Sequence, residues 1–170
     1  PNGFTNANSR SVVGLKMGIE NVSLASGSSL HIPVYAVGNA TLNSVQFTLE
    51  WDNQAIDVNS IIGEKFELQE QNINLEFHSS GLATMSWNSV EPLKLKSGDI
   101  LFYIDMQSKI SGDLISAGLN ASDKITLRET SDENNEIGSV QINYLFDNQD
   151  GKNIDFSLKQ NIPNPFDQST

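Results

Sequence analysis

The sequence predicts an all-β domain, a two-sheet antiparallel β-sandwich of about nine strands. Apolar and polar residues alternate through most of the chain, whereas the spacing typical of amphipathic helices is almost absent. Clusters of Gly, Asn, Asp and Ser separate the alternating segments, as turns do between antiparallel strands. Eight or nine strands that each have one apolar face can bury those faces only when two sheets pack together.

Eight alternating segments are predicted as strands, each with its apolar residues directed towards the core. In chain order these residues are Leu15, Met17 and Ile19; Leu30, Ile32, Val34 and Ala36; Val45, Phe47, Leu49 and Trp51; Ile73, Leu75 and Phe77; Ala83, Met85 and Trp87; Ile100, Phe102, Ile104 and Met106; Ile125 and Leu127; Val140, Ile142 and Tyr144. Pro33 cannot donate a ladder hydrogen bond, which places its strand at an edge or a bulge.

Two longer segments depart from simple alternation. Residues 53–72 are predicted as a long connection over the core. Its expected core anchors are Ile61, Ile62 and Phe66. Another short strand is expected around Leu114 to Ala117.

Composition and charge exclude several classes of function. The 170 residues suit one domain, and cysteine is absent, which excludes disulfides, thiol chemistry and cysteine-based zinc sites. A net charge of −11 with ten Lys and Arg residues argues against nucleic acid and anionic membranes as partners. No run of about 18 apolar residues occurs, so no membrane insertion is expected.

The chain divides into three parts by its patterning. Residues 1–11 lack periodicity and are predicted as an N-terminal linker, the sandwich spans 12–146, and residues 147–170 form a linker and a C-terminal segment. The sequence begins without a methionine or a signal peptide and is expected to be a fragment of a larger protein.

The C-terminal segment resembles the opening of the sorting domain carried by type IX secretion cargo. The matching residues are Asn161, Pro163, Asn164, Pro165 and Phe166, followed in register by Ser169 and Thr170. Asp167 stands where that family often has Asn. The resemblance implies a protein that is secreted or held on the cell surface of a Bacteroidota-type bacterium through the type IX route. A Pro-rich linker is the alternative interpretation.

The predicted strands also resemble, in order, those of the cohesin domain, a nine-stranded jelly-roll sandwich. The segments that carry the resemblance are 25–34, 42–52, 97–102 and 125–144, and the match spans about residues 15–145. Three positions depart from the family pattern: Trp51 replaces a common Tyr, Asn53 replaces Pro, and Ala-Ser-Gly-Ser, which begins at Ala25, replaces the usual Pro-Gly-Asp. The resemblance implies a non-catalytic module that, in the best-known cases, holds a calcium-loaded dockerin of another protein.

The resemblance places the partner on one outer sheet face, built from strands near 44–51, 73–79, 82–88 and 124–129. Period two assigns the outward residues there as Gln46, Thr48, Glu50, Asn74, Glu76, His78, Thr84, Ser86, Asn88, Thr126 and Arg128. This predicted face is polar throughout, and only Arg128 and His78 are of the types that anchor protein interfaces. A protein partner is therefore expected to bind weakly, or through charge and hydrogen bonds.

Carbohydrate binding is the alternative function, because sugar rings stack on exposed aromatic side chains. Trp51 and Trp87 are in phase with core residues, so both are expected to be buried. Tyr35 and Tyr103 point to the opposite side of their strands and are the glycan-stacking candidates for a polysaccharide partner. A structural spacer between other domains of the parent protein is the third interpretation.

Catalysis and tightly bound cofactors are not expected. The chain has only two histidines, His31 and His78, and neither lies in a hydrolase-like motif. Residues 147–152 resemble an EF-hand loop, but Phe146 and Ser157 would occupy ligand positions and cannot serve there. The acidic loop with Asp132, Glu133 and Glu136 could hold calcium loosely, although a solvated loop is the simpler interpretation. Together with the two resemblances, which imply an extracellular location and a binding role, the sequence predicts a non-catalytic binding module without cofactor that mediates protein assembly or adhesion.

Overall fold

The computed structural model describes residues 14–145. The predicted linker over 1–11 and the type IX sorting segment within 147–170 lie outside the described residues and stay predictions. Among the described residues, no helix is long and apolar enough to cross a membrane.

Twelve strands follow one another along the described part of the chain. They are β1 Leu15–Glu20, β2 Ser23–Leu24, β3 Ser29–Ala36, β4 Ala40–Glu50, β5 Ile56–Gly63, β6 Ile73–Asn74, β7 Leu82–Leu95, β8 Ile100–Ser108, β9 Gly112–Asp113, β10 Asn120–Ser122, β11 Glu129–Ser131 and β12 Ile137–Leu145. Short 3-10 turns lie at Glu70–Asn72, His78–Ser80 and Leu114–Ala117.

Ten of these strands form one hydrogen-bonded sheet in the order β5-β8-β3-β1-β12-β11-β4-β7-β6, with β10 also paired to β4. Neighbouring strands are antiparallel except β1 and β12, which run parallel. We call the part from β5 to β12 the β8 sheet and the part from β11 to β6 the β4 sheet. Because β12 pairs with both β1 and β11, it joins the two parts.

The two sheets pack face to face around aromatic side chains. The rings of Phe47 on β4 and Phe102 on β8 lie 6.4 Å apart between their centroids. Phe66 lies 5.0 Å from Trp87 and 6.4 Å from Phe102, so a loop residue fills the space between the sheets. Trp87 and Trp51 are only 6% and 4% exposed, which confirms the predicted burial of both. The predicted two-sheet sandwich is confirmed as well.

Residues 53–72 contain a full strand, which the sequence did not predict. The register between β5 and β8 shifts between Val58 and Ser60, and this bulge breaks the alternation that marks other strands. Ile61 is buried as expected, but its neighbour Ile62 is 45% exposed, because adjacent strand residues point to opposite faces. The assignment of Ile62 to the core was therefore wrong, whereas that of Phe66 is confirmed.

Two predicted strands are shorter than expected or absent. β6 ends at Asn74, whose Oδ1 accepts a hydrogen bond from the backbone N–H of Glu76 at 2.7 Å and so starts a turn. Phe77, expected in the core, is 41% exposed as a result. The segment from Leu114 to Ala117 is a 3-10 turn rather than a strand, although both of these residues are buried.

The strand that contains Pro33 lies inside the sheet rather than at its edge. β3 pairs with β8 along its length but with β1 only over residues 34–36, so the strand is not at the sheet edge, although within the described part of the chain Pro33 itself is paired on the β8 side alone. The register of β3 with β8 shifts between Val34 and Tyr35, one residue beyond Pro33. One-sided pairing and a nearby bulge, both of which tolerate a proline, thus occur together here.

Candidate binding face

The outer face of the β4 sheet brings together most of the residues predicted to bind a partner. Strand register fixes its rows: Thr48 pairs with Thr84, Gln46 with Ser86 and Ser44 with Asn88, while Thr84 also pairs with Asn74. We call this surface the β4 face; its residues are Ser44, Gln46, Thr48, Glu50, Asn74, Thr84, Ser86, Asn88, Glu129 and Ser131. Period two alone grouped all of the β4 and β7 members except Ser44, which the predicted set did not include and which lies in the same phase.

Two residues of β11 extend this face beyond the predicted set. Glu129 pairs with Gln46 and Ser131 with Ser44. The Gln46 amide donates to Glu129 Oε2 at 3.3 Å, and the hydroxyls of Ser44 and Ser131 lie 2.7 Å apart. The sequence missed both residues because it placed the strand too early, near 124–129.

Thr48 lies on this face but is fully buried, so its prediction as a contact residue was wrong. Its Oγ1 accepts hydrogen bonds from the backbone N–H groups of Ile125 and Thr126 at 3.1 and 2.9 Å, and donates to the Thr126 carbonyl at 3.3 Å. The chain from Asp123 to Arg128, which we call the 123–128 loop, therefore lies over β4 at Thr48, near the C-terminal end of the strand. Thr48 acts as the anchor that holds this loop on the sheet.

Arg128 closes the same loop instead of projecting towards a partner. Its Nε and Nη2 atoms both lie 3.0 Å from Asp123 Oδ2, and its backbone N–H donates to Asp123 Oδ1 at 2.7 Å. These bonds hold the pKa of the Asp123 carboxyl below its ordinary value. The guanidinium is thus already paired within the loop, and the role of Arg128 as an interface anchor stays a prediction.

The 123–128 loop places two apolar side chains on the β4 face. Ile125 and Leu127 were predicted as core residues of a strand, but they are 45% and 57% exposed. Both are direct neighbours of Thr126, whose backbone is hydrogen-bonded to Thr48 on this face. The prediction of a face that is polar throughout was therefore wrong. The alternation of residues 125–127 is the same for a strand and for this loop, and no sequence signal separates the two.

The remaining predicted residues border the face. Glu76 and His78 are exposed but lie in the turn after β6, where His78 Nδ1 is 2.9 Å from the Leu75 carbonyl oxygen. The Glu50 carboxylate forms an ion pair with Lys124 at the start of the 123–128 loop. Glu50 is thus on the predicted face, with a partner that the sequence did not indicate.

Of the two tyrosines predicted to stack on sugars, only one fits. Tyr35 is 9% exposed, and burial, with smaller contributions from Glu20 and Tyr103, raises the pKa of its phenol. It pairs with Gly18, over which the side chains of Leu145 and Val37 close. Tyr35 was therefore wrongly predicted as an exposed aromatic residue, whereas Tyr103 is half-buried on the outer face of the β8 sheet.

Tyr103 belongs to a cluster that also contains a histidine, an aspartate and a serine. Asp105 lies between the other two: its Oδ1 is 2.6 Å from His31 Nδ1 and its Oδ2 accepts a hydrogen bond from Ser60 at 2.9 Å. A hydrolytic triad needs the serine hydroxyl bonded to the histidine, which then acts as its base. With the carboxylate in the middle, His31 cannot take up the proton of Ser60.

The described residues contain no cluster of three or more His, Asp or Glu side chains that could hold a metal ion. In the acidic loop, Asp132 Oδ1 accepts hydrogen bonds from the backbone N–H groups of Asn134 and Glu136 at 2.8 and 2.9 Å. These hydrogen bonds lower the pKa of Asp132, and the bond from Glu136 contributes most. One of its carboxylate oxygens is thus occupied in shaping the loop.

Acid should loosen the 123–128 loop. The pKa of Asp123 is lower in the folded chain than in the unfolded one. The ionised carboxylate therefore stabilises the fold fully at pH values above its unfolded pKa, and this contribution is lost as the pH falls through its folded pKa. We expect Asp123→Asn to lower the Tm near neutral pH, and the difference from wild type to shrink and vanish as the pH falls below the folded pKa of Asp123. Thermal unfolding followed by circular dichroism at a series of pH values checks this. A difference that is constant down to the lowest pH would contradict it.

Comparison with known proteins gives a match only at the level of structure: no protein-family model and no curated protein matches the sequence. The sixth cohesin of scaffoldin B from Acetivibrio cellulolyticus, solved in complex with a dockerin, has a TM-score of 0.54 at 14% identity, over 78% of this chain and 100% of that one. A cohesin from Clostridium thermocellum, in a type I cohesin–dockerin complex, has a TM-score of 0.54 at 17% identity, over 78% and 95%. The seventh type I cohesin from Pseudobacteroides cellulosolvens has a TM-score of 0.52 at 14% identity, over 78% and 88%.

The chain has the cohesin fold. Identities of 14–17% establish the architecture and nothing finer. The jelly-roll arrangement implied by the sequence resemblance is confirmed; of the strands predicted to form the binding face, those near 44–51 and 82–88 are present, whereas those near 73–79 and 124–129 are shortened or shifted.

Proposed function

We propose that this chain is a non-catalytic protein-binding module and that its partner binds the β4 face. The observation that carries the proposal is the exposure of Ile125 and Leu127 on the loop that Thr48 holds against that face. Protein interfaces typically combine a small apolar centre with a polar rim. Here Gln46, Ser86 and Glu129 supply that rim.

The 123–128 loop is fixed before a partner arrives. Three hydrogen bonds to Thr48 and the Arg128–Asp123 pair hold it on the sheet. A preorganised loop costs little conformational entropy on binding, so the exposed area of Ile125 and Leu127 contributes more of its free energy to affinity. This rigidity offsets the small size of the apolar centre.

The partner that we propose is a dockerin-like module of another protein. The solved cohesin-fold structures include complexes with dockerins, which supports this choice. The net charge of −11 favours a partner surface rich in Lys and Arg. We further propose that the chain belongs to a larger protein that is secreted or displayed through the type IX route; the residues from Asn161 to Phe166 support that part.

Capture from the culture medium and envelope of the source organism, with the 170-residue chain as bait, tests the proposal. We expect a protein with dockerin-type calcium loops, identified by mass spectrometry, to bind in calcium and to be released by a chelator. In a binding measurement with the purified partner, the Ile125→Asp variant should bind about 30-fold more weakly than the wild type, which corresponds to a loss of about 2 kcal/mol at a hot spot.

Ile62→Asp is the matched control. Ile62 is the same residue type and is also 45% exposed, but it lies on β5 in the other sheet. The Ile62→Asp variant should bind the partner with the same affinity as the wild type. Equal affinity of wild type and Ile125→Asp would move the interface away from the β4 face, and the absence of any captured protein in calcium would favour a spacer role.

A further inference from the structure

The outer face of the β8 sheet, opposite the β4 face, holds a stacked pair of rings. His31 on β3 and Tyr103 on β8 lie 4.3 Å apart between ring centroids, with an angle of 15° between their planes. His31 pairs with Asp105 and Tyr103 with Pro33, so the two rings are diagonal neighbours across adjacent strands. The side chain of His31 is 55% exposed, which leaves much of its ring open to a ligand.

Three strands fix the orientation of this ring pair. The carboxylate of Asp105 has no proton to donate, so His31 Nδ1–H donates to its Oδ1, 2.6 Å away. On the other side, Ser60 of β5 donates to Asp105 Oδ2 at 2.9 Å. The histidine ring is therefore held by a stacking contact and a hydrogen bond at once, which reduces the entropy that it would lose on binding a ligand.

A shallow groove of about 430 Å³ runs beside the ring pair, within the usual size range of small-ligand sites. Its polar lining consists of Ser29, His31, Asn59, Ser60 and Asp105. The bulge in β5 falls at Asn59 and leaves this residue exposed at the groove. Bulges commonly redirect a side chain next to a binding site.

We propose that this groove binds a neutral oligosaccharide. A sugar ring has an apolar face that stacks on a flat ring such as His31 backed by Tyr103, and an edge of hydroxyls that need hydrogen-bond partners. Asp105 uses two of its roughly four acceptor positions within the cluster, so acceptors remain for sugar hydroxyls. The Asp105 carboxylate in the groove and the net charge of −11 disfavour acidic saccharides.

This site is independent of the proposed protein partner. The ring pair lies on β3 and β8, whereas the β4 face lies on strands of the other sheet. Loss of sugar binding would therefore leave capture of a dockerin-like module unaffected, and failure of that capture would say nothing about the groove.

NMR titration of the 170-residue chain with cellohexaose, xylohexaose and mannohexaose, and with hexagalacturonate as the acidic counterpart, tests this inference. At least one neutral hexasaccharide should shift the amide resonances of His31, Ser60 and Asp105. Tyr103→Ala should raise the Kd for that sugar by about tenfold or more, a loss of about 1.4 kcal/mol. Tyr103→Phe keeps the ring and should bind as the wild type does.

Val90→Ala serves as a further control, since this residue is 92% exposed on β7 and outside the groove. Unchanged thermal unfolding of Tyr103→Ala confirms that the loss is local; should that variant unfold early, His31→Ala is to be measured in its place. The proposal is overturned if no neutral hexasaccharide shifts the groove resonances, if hexagalacturonate binds as well as the neutral sugars, or if the ring-deleting variants retain wild-type affinity.

Discussion

Trp87→Ala should lower the free energy of unfolding by about 3–5 kcal/mol, the range for removing a large aromatic side chain from a core. Trp87 is 6% exposed, and its ring lies 5.0 Å from that of Phe66, which itself contacts Phe102 of the opposite sheet. Deleting the indole therefore leaves a cavity between the two sheets as well as losing the transfer free energy.

Urea denaturation followed by fluorescence or circular dichroism measures this effect. Val90→Ala is the matched control on the same strand, because Val90 is 92% exposed and its truncation should change stability by less than about 0.5 kcal/mol. Nearly equal midpoints for Trp87→Ala and Val90→Ala would show that the indole is not part of the core.

Gly81→Ala should destabilise the chain by about 3 kcal/mol or more. Gly81 has a φ of +73°, and a Cβ placed there would lie 2.2 Å from the backbone oxygen of Trp51. The backbone N–H of Trp51 donates to the Gly81 carbonyl at 2.9 Å, so a shift that relieves the clash also disturbs the start of β7 and the end of β4.

Gly27→Ala separates the two components of this effect. Gly27 has a similar φ of +84°, but a Cβ there would meet nothing within 4 Å. Its substitution should cost only the left-handed backbone term, about 1–2 kcal/mol. If both variants lose the same stability in chemical denaturation, the predicted close approach of Trp51 is refuted.

Much of the candidate site could be predicted from period two, and the missing part was a loop. Alternation alone placed Gln46, Thr84, Ser86 and Asn88 on one outer face, since side chains two residues apart on a strand share a side. It could not show that Thr48, in the same phase, is covered by the 123–128 loop. The contact that buries Thr48 joins it to Ile125, 77 positions further along the chain, and local alternation carries no information about such a contact.

The same limit explains the opposite errors at apolar residues. Ile125 and Leu127 alternate like core residues, but backbone bonds to Thr48 place them on the surface. Tyr35 was expected outside, yet its cross-strand neighbour is Gly18, where side chains from β12 and the chain after β3 close over the sheet. In each case at least one neighbour that decides exposure, Thr48 for the loop and Gly18 and Leu145 for Tyr35, is remote in sequence.

By itself, the sequence determined the all-β sandwich, the burial of Trp51 and Trp87, and the absence of thiol chemistry, because periodicity and composition are local properties of the chain. Only the tertiary structure decided that the 123–128 loop gives the β4 face an apolar centre and that His31, Tyr103, Asp105 and Ser60 form one cluster. The register of antiparallel strands and the path of a loop over a sheet bring these residues together, and both are set by long-range packing that no single segment encodes.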